Sequence, residues 1–436
     1  MAGARRVVAL VDGEHYPPVV ADAIATTGGV VAALLLGGAE KLRGEPAAAD
    51  YGVARLELAA GDAPGALTRL LADVRPDLVV DLSDEPVVSQ RSRLRLAAVA
   101  LHAGVAYRAG GLVLEPERRG SYALPSIAVA GTGKRVGKTA VAGQLARVAR
   151  DVVAPGEVVI VAMGRGGPAA PELVAPGEVD ALALLARSRA GQHAASDFLE
   201  DALLAGVTAI GCRRCGAGLA GDVVHSTVAE GAALAAARAP ALTIFEGSGA
   251  CLPPIVADRT LLVTSSAADP EEVLGYLGPY RLLAADAVLV VGDRRSDALE
   301  AGIRDLRPGI PVVPCALVPQ PSAPIAGRRV AVFTTARAEL HAGLRAALAD
   351  RHGAEVVLVS GALADRPALR AALAGVDADV FLTELKAAAV DVVAEAAAER
   401  GAELVFLANQ PVAHDASAAV DDLLERLIRG AIETIS

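Results

Sequence analysis

The sequence predicts an α/β protein whose sheets are mainly parallel. Short runs rich in Val, Ile and Leu alternate with Ala- and Leu-rich segments of helical pattern along the chain, which is the order that βαβ units produce. Apolar residues make up 53% of the 436 residues, enough for large buried cores. Aromatic residues make up only 3% and Trp is absent, so we expect cores of Ala, Val and Leu.

Charge and composition exclude several classes of protein. The 51 acidic and 41 basic residues give a net charge of −10 without a long basic run, so non-specific nucleic-acid binding is not expected. The sequence contains no stretch of about 18 uncharged apolar residues, so no membrane span is predicted. The first apolar run is short and ends at Asp12, unlike a signal peptide. Four Cys do not make a disulfide scaffold. We therefore expect a cytoplasmic protein without nucleic-acid or membrane partners.

Three units are predicted, and the first covers residues 1–120. Its end is marked by the polar, turn-rich run Glu115–Gly120. The segments predicted in it are strands at 5–12, 30–36 and 77–82 and a helix at 63–74. Carboxylates and a histidine (Asp12, Glu14, His15) follow the first strand. They indicate a second ligand site or a domain contact, and plain polar turns are an equal alternative.

The second unit covers residues 121–320 and the third covers residues 325–436. The composition of Pro319–Pro324 is typical of a stiff linker between them. The runs predicted as strands in the second unit are 126–130, 157–162, 207–210, 241–245, 259–264, 286–291 and 311–317. Those predicted in the third unit are 328–333, 354–359, 378–382 and 403–407.

A glycine-rich loop in the second unit carries the clearest chemistry. A strand precedes it and a helix follows it, which is the context that a phosphate loop requires. Glycines let backbone N–H groups turn toward phosphate oxygens, and the helix N-terminus adds a favourable dipole. We expect the loop to bind ATP, with Lys138 at the β and γ phosphates and Thr139 as a ligand of Mg²⁺. The loop residues are Gly131, Thr132, Gly133, Lys134, Arg135, Val136, Gly137, Lys138 and Thr139.

The central unit is therefore predicted to be a P-loop NTPase parallel sheet, flanked by N- and C-terminal α/β domains of which the first is Rossmann-like. The loop resembles that of the dethiobiotin synthetase group, Gly-Thr-x-x-x-Val-Gly-Lys-Thr, at all six fixed positions. In that superfamily a second carboxylate ends a later strand, and the run Thr243–Gly249 looks like that element. The resemblance implies that Glu246 assists Mg²⁺, directly or through water. Lys138, Lys134 and Glu246 are the candidate catalytic residues.

Three arginines are candidates for binding an anionic substrate. Arg165 stands among glycines after a predicted strand, and Arg213 and Arg214 stand between glycines after another. Glycines allow close backbone approach to an anion, and a guanidinium binds phosphate as a planar fork. Solvated or structural loops are the alternatives. Cys212 and Cys215 also permit a zinc or redox interpretation, although no second CxxC completes a zinc site.

Four stretches together resemble the cyclic 2,3-diphosphoglycerate synthetase family. They are Val11–Pro18, the phosphate loop, Gly211–Gly216 and Glu384–Ala388. The resemblance implies that ATP and 2,3-diphosphoglycerate give ADP, phosphate and the cyclic diphosphate by intramolecular phosphoanhydride formation. The resemblance therefore implies a phosphoanhydride-forming ligase that acts on a small phosphorylated substrate. Because both substrates would be highly negative, an acidic chain must concentrate positive charge at the site. Mg²⁺ and six basic residues could supply it: Lys134, Arg135, Lys138, Arg165, Arg213 and Arg214.

Other functions remain open at this stage. A dethiobiotin-synthetase-like carboxylate ligase fits the loop, although that enzyme lacks the flanking units. A GTP- or ATP-dependent metallochaperone or switch protein explains a CxxC beside a phosphate loop, but the chain has no Asn-Lys-x-Asp motif for guanine. A partition-type ATPase is a third alternative. A homodimer is expected by analogy with other phosphate-loop proteins.

Overall fold

The structure is a computed structural model that describes residues 5–180, 183–184, 186–187, 190, 196–216, 218–385, 389–415 and 419–434. It contains two compact units, which are described separately. The N-terminal unit comprises residues 1–118, 268–284 and 301–308. The second unit comprises residues 119–267, 285–300 and 309–436. No helix within the described residues combines the length and apolar character needed to cross a membrane.

Strands alternate with helices along the chain. The strands are β1 (Val7–Val11), β2 (Val30–Leu35), β3 (Leu56–Leu58), β4 (Leu78–Asp81), β5 (Ala106–Ala109), β6 (Leu112–Leu114), β7 (Gly120–Ser121), β8 (Ser126–Gly131), β9 (Val158–Gly164), β10 (Glu172–Val174), β11 (Thr208–Cys215), β12 (His225–Ser226), β13 (Leu242–Glu246), β14 (Ile255–Val256), β15 (Arg259–Ser265), β16 (Ala287–Val291), β17 (Val312–Pro321), β18 (Arg329–Phe333), β19 (Glu355–Ser360), β20 (Val380–Thr383) and β21 (Glu403–Ala413).

Most of the helices follow a strand directly. They are α1 (Pro17–Thr27), α2 (Ala63–Val74), α3 (Gln90–His102), α4 (Lys138–Val153), α5 (Asp197–Glu200), α6 (Val228–Ala236), α7 (Pro270–Leu274), α8 (Gly278–Ala284), α9 (Asp297–Leu306), α10 (His341–His352), α11 (Arg366–Ala374), α12 (Val390–Arg400) and α13 (Val420–Glu433).

The N-terminal unit is built on a sheet with strand order β3-β2-β1-β4-β5-β6. All neighbouring strands in it are parallel except β5 and β6. The strand order reverses between β1 and β4, which makes the carboxyl ends of these strands the place where ligands bind in open α/β sheets. The predicted strands and the helix at 63–74 are confirmed in position.

The second unit is built on one continuous sheet that includes both the phosphate loop and the C-terminal strands. Its strand order is β10-β11-β9-β13-β8-β15-β16-β17-β21-β20-β18-β19. The antiparallel neighbours on this path are β10 with β11 and β17 with β21. The α/β fold class, the P-loop sheet and the strands predicted in this unit are confirmed. The core consists mainly of Ala, Val, Leu and Ile, as the composition predicts.

The predicted linker at Pro319–Pro324 is wrong, because its first residues continue β17. Pro319 pairs with Asn409 and Pro321 with Leu407 in the antiparallel ladder with β21. On its other side β17 pairs with β16 only over Val312–Cys315. Beyond that point one side of the strand has no ladder partner, and proline, which lacks an N–H, is tolerated there. Composition alone does not separate this edge from a linker.

Candidate active site

The phosphate loop lies at the carboxyl edge of the second unit's sheet. It leaves the end of β8, which lies between β13 and β15 in the ladder, and enters the first turn of α4. Glu246 at the end of β13 pairs in register with Val129 of β8. The strand ends that the sequence singled out therefore meet at one edge.

The lysine of the loop folds back over the loop itself. Lys138 is buried, and its Nζ donates a hydrogen bond of 2.8 Å to the Gly133 carbonyl oxygen. A Cβ placed on Gly131 would lie 2.8 Å from that Nζ, so a larger residue here would displace the end of the Lys138 side chain. Gly137 has φ +95°, a conformation that also favours glycine. The glycines thus let the backbone close around the lysine.

The first hydroxyl of α4 is joined to the carboxylate that ends β13. Thr139 Oγ1 donates a hydrogen bond of 2.6 Å to Glu246 Oε1. Glu246 is only 2% exposed. The two side chains supply hard oxygen atoms next to the loop, which is the donor chemistry that Mg²⁺ prefers.

Two of the three candidate arginines converge on Gly249, in the loop after β13. A Cβ on Gly249 would lie 2.9 Å from Arg165 Nη2 and 3.3 Å from Arg214 Nη2. The Gly249 carbonyl oxygen also approaches the phosphate loop, because it lies 3.1 Å from the position of a Cβ on Gly131. Both guanidinium groups therefore reach the loop that borders Lys138.

Among the described residues, Arg214 donates hydrogen bonds only to neutral groups. This arginine is 8% exposed, and it donates to the carbonyl oxygens of Gly216 at 3.2 Å and Ser248 at 3.0 Å and to Ser248 Oγ at 3.3 Å. Its Nε is buried without a partner. Within the described part of the chain, no carboxylate forms an ion pair with Arg214 or Arg165. A buried guanidinium in this state is suited to binding an anion.

The third arginine does not join this pair. The sequence predicts a glycine-flanked anion-binding loop over 211–218, but residues 211–215 belong to β11, so adjacent side chains point to opposite faces. Arg213 Nε donates to the Pro168 carbonyl oxygen at 2.7 Å. Arg213 therefore holds the segment that follows Arg165, while Arg214 reaches Ser248 and Gly249.

The same strand geometry bears on the two cysteines. Cys212 and Cys215 are three residues apart in β11, so their side chains lie on opposite faces, and only Cys215 is exposed. Burial raises the pKa of the Cys212 thiol to about 12, which keeps it neutral. No cluster of three or more His, Cys, Asp or Glu side chains suited to a metal ion occurs among the described residues. The zinc and redox interpretations therefore gain no support.

The remaining residues of the phosphate loop differ in exposure and in contacts. Lys134 and Arg135 are exposed at the tip of the loop, and Arg135 has φ +58°. Thr132 contacts Thr264 of β15 through their hydroxyl oxygens at 2.9 Å. Lys386, Ala387 and Ala388, the end of the last stretch that carried the family resemblance, lie outside the described residues.

Sequence reasoning missed Ser248 and Gly249. The signal was present in the Gly-Ser-Gly run that follows Glu246, since glycines next to a functional strand end indicate close backbone approach. Nothing in this run indicates that it approaches Arg165, which follows β9, or Arg214, which lies in β11.

A buried strand, a glycine-rich loop with Lys and Thr, and a helix at the carboxyl edge of a parallel sheet define a P-loop nucleotide-binding protein. Beside this loop lie the carboxylate of Glu246 and the guanidinium groups of Arg165 and Arg214.

Comparison with known proteins assigns the family. Three family models match the chain: the N-terminal domain of cyclic 2,3-diphosphoglycerate synthetase at residues 6–115, its P-loop domain at 126–312 and its C-terminal domain at 321–410. The chain belongs to the cyclic 2,3-diphosphoglycerate synthetase family. This confirms the resemblance drawn from the four sequence stretches.

Similar proteins match over nearly their whole length. A cyclic 2,3-diphosphoglycerate synthetase of Rubrobacter xylanophilus is 45% identical over 443 residues, covering 98% of both chains. One of Thermococcus onnurineus is 40% identical over 415 residues, covering 92% of this chain and 94% of the relative. One of Methanothermus fervidus is 35% identical over 457 residues, covering 99% of both. The family assignment favours the synthetase over the carboxylate ligase, metallochaperone and partition ATPase alternatives.

Proposed function

We propose that this protein catalyses the ATP-dependent cyclisation of 2,3-diphosphoglycerate, giving cyclic 2,3-diphosphoglycerate, ADP and phosphate. The observation that carries the proposal is the convergence of Arg165 and Arg214 on Gly249, beside the loop that holds Lys138. A P-loop accounts for ATP. Two guanidinium groups that pair with no carboxylate among the described residues account for an acceptor that carries several negative charges.

The residues around the phosphate loop fit ATP with Mg²⁺. Residues 131–139 would hold the phosphates, and Lys138 would leave the Gly133 carbonyl to reach the β and γ phosphates. Thr139 and Glu246 would hold Mg²⁺, directly or through water, since both are oxygen donors 2.6 Å apart. When bound, Mg²⁺ neutralises charge on the transferred phosphoryl group.

The reaction needs an activated phosphate, because neither substrate phosphate can expel an oxide at neutral pH. In the first step, an oxygen of one substrate phosphate attacks the γ phosphorus, and ADP leaves. In the second step, an oxygen of the other substrate phosphate attacks the activated phosphorus. The P–O bond to the former γ group breaks, and inorganic phosphate leaves with the bridging oxygen. No water is consumed, and the released phosphate takes up one proton from solvent.

Positioning and charge neutralisation carry this chemistry. The attacking phosphate oxygens are already ionised, so no general base is required. We assign Lys138 and Lys134 to the transferred phosphoryl group and Arg165 and Arg214 to the acceptor phosphates. Arg213, which donates to Pro168, is assigned a positioning role rather than contact with the acceptor.

An oxygen label tests the two-step route. The acceptor is prepared with ¹⁸O in its non-bridging phosphate oxygens, and the released phosphate is analysed by mass spectrometry after limited turnover. We expect one labelled oxygen in each released phosphate, because the bridging oxygen comes from the acceptor. Released phosphate without label would contradict the route, since water would then have attacked ATP.

The proposal also covers the domain bounds, the oligomeric state and the location of the protein. We propose domains at residues 1–120, 121–320 and 325–436, with the last two sharing one sheet. We propose a homodimer by analogy with other phosphate-loop proteins, which light scattering of the purified protein tests directly. We propose a cytoplasmic location, which fits a reaction that uses ATP.

A further inference from the structure

The N-terminal unit contains a cavity of about 640 Å³. It lies beside the carboxyl ends of β1 and β2, between residues 13–18 and 41–46, and Asp50 and Tyr51 complete its wall. Sites for small molecules commonly have volumes of about 300 to 1,000 Å³. The cavity is therefore large enough for a metabolite, and its place at the carboxyl edge of the sheet is where such folds bind ligands.

One wall presents a histidine that a buried carboxylate holds in place. Asp12 is fully buried, and it accepts hydrogen bonds from the backbone N–H groups of Glu14, His15 and Asp84. Burial raises the pKa of Asp12, but the hydrogen bonds from His15 and Asp84 outweigh it and lower the pKa overall. His15 Nδ1 donates to this carboxylate at 3.0 Å. Nε2 is thereby left for a ligand, since His15 lines the cavity.

Tyr51 supplies a buried hydroxyl in the same wall. The residue has no solvent exposure, and its hydroxyl has no hydrogen-bond partner among the described residues. Burial raises its pKa, and the charges of Asp50 and Asp12 raise it further. The hydroxyl therefore stays protonated and can donate. A buried donor without a partner costs free energy, which a ligand oxygen would recover if the groups that cover the hydroxyl moved aside.

Arg43 is the charged residue of the cavity wall that we expect to bind an anion. Glu14 pairs with Lys41, Asp50 accepts the Ala47 N–H, and Glu45 is exposed. Arg43 lines the cavity and forms no ion pair with any residue that the structure describes. The adjacent N-terminus of α1 begins with Pro17 and Pro18, which lack N–H groups. Side chains, not the helix terminus, must therefore bind an anion here.

We propose that this cavity binds the phosphoryl group of a small phosphorylated metabolite through Arg43, His15 Nε2 and the Tyr51 hydroxyl. Arg43 supplies the charge, Tyr51 donates a hydrogen bond, and Nε2 accepts one from a protonated phosphate oxygen or a hydroxyl of the metabolite. Two sources share this chemistry: a phosphorylated acid such as the proposed acceptor, and a nucleotide. The inference does not depend on the proposed reaction, because binding is measured with one compound at a time and without turnover.

A single introduced tryptophan can report ligand binding in this cavity by its fluorescence. The chain has no Trp, and Tyr16 lines the cavity with 68% of its surface exposed, so Tyr16→Trp creates a unique reporter in the full-length protein. Its fluorescence is followed during titration with 2,3-diphosphoglycerate, ATP or inorganic phosphate. We expect a saturable change with one of the first two, and the compound that gives the lower half-saturation identifies the source.

Two further substitutions in the reporter protein decide the assignment. Arg43→Gln and Tyr51→Phe are expected to raise the half-saturating concentration at least tenfold and a few-fold, respectively. Arg69→Gln, an exposed arginine of the same unit that lies 3.7 Å from Asp62, is the matched control and should leave it unchanged. Absence of a saturable change with all three compounds, or an Arg43→Gln titration equal to that of the control, would overturn the inference. ATP turnover by the reporter protein is measured separately, so either proposal can fail alone.

Discussion

Thr139 and Glu246 are 107 residues apart in sequence, yet Thr139 Oγ1 donates a 2.6 Å hydrogen bond to Glu246 Oε1. The contact exists because β13 lies next to β8 in the sheet and both strands end at the same edge. It places a carboxylate beside the phosphate loop. The hydrogen bond also fixes the orientation of the threonine hydroxyl.

Glu246→Gln tests whether this carboxylate serves Mg²⁺. The amide keeps the shape of the side chain and can still accept from Thr139, but it loses the negative charge. We expect the Mg²⁺ concentration for half-maximal activity to rise at least tenfold, with a lower kcat. Activity is measured across a Mg²⁺ titration at saturating ATP. An unchanged Mg²⁺ dependence would contradict the role.

Lys138→Ala removes the cation of the phosphate loop. Because the amine acts on charge that develops during transfer, we expect kcat to fall about 100-fold or more. ATP affinity, measured by equilibrium dialysis, should weaken much less than kcat falls. Thermal unfolding of the variant serves as the check on folding. Activity within tenfold of the wild type would exclude the role assigned to Lys138.

Gly249→Ala tests the convergence of the two arginines. The new Cβ would lie 2.9 Å from Arg165 and 3.3 Å from Arg214, so we expect KM for the acceptor to rise at least tenfold while ATP affinity is retained. Gly401→Ala is the matched control, since its φ of +67° is close to the +61° of Gly249 and nothing lies within 4 Å of its Cβ position. A KM for the acceptor that is no higher in Gly249→Ala than in Gly401→Ala would contradict the convergence of the two arginines on Gly249.

Asp12 links the stability of the N-terminal unit to pH. Its pKa is lowered from 3.8 in the folded protein, so its contribution is fully present above about pH 4 and is lost as pH falls through the lower, folded-state value. We expect Asp12→Asn to reduce the free energy of unfolding by about 1 to 3 kcal/mol at pH 7. Urea unfolding at pH 7 and pH 3 measures it. A difference between the two proteins that grows on acidification would contradict this sign.

Cysteine reactivity separates the proposed site from a zinc or redox motif. Three of the four Cys are buried and only Cys215 is exposed, and burial raises the pKa of Cys212 and of Cys315 to about 12. We therefore expect one thiol per chain to react rapidly with a disulfide reagent at pH 8, and four after denaturation. Cys215→Ser should abolish the rapid phase. Rapid reaction of two thiols in the native protein would contradict the described geometry.

The regular elements could be predicted from sequence because each is a local pattern. The strands at 126–130 and 241–245 are apolar runs bounded by turn residues, and the structure has them at Ser126–Gly131 and Leu242–Glu246. The phosphate loop follows from nine consecutive residues. Its context of strand and helix is also local.

Features that depend on pairing between distant strands could not be predicted. The sequence predicts that the run at 207–210 ends before the arginines, but pairing with β9 extends β11 to Arg213 and pairing with β12 extends it to Cys215. That extension separates Arg213 from Arg214 by strand alternation. The approach of Arg165 and Arg214 to Gly249 depends on the relative positions of three segments from different parts of the chain. The linker prediction that includes Pro319 and Pro321 is wrong for the same reason. Only the position of β16 shows where one edge of β17 loses its pairing.

Phosphorus NMR of the reaction mixture tests the central claim most directly. Purified protein is incubated with ATP, Mg²⁺ and 2,3-diphosphoglycerate, and the spectrum is followed with time, with a mixture lacking ATP as the control. We expect internal anhydride resonances of a cyclic diphosphate to appear together with equal amounts of ADP and inorganic phosphate. Intact ATP, or ADP and phosphate formed while 2,3-diphosphoglycerate remains unchanged, would contradict the proposed cyclisation.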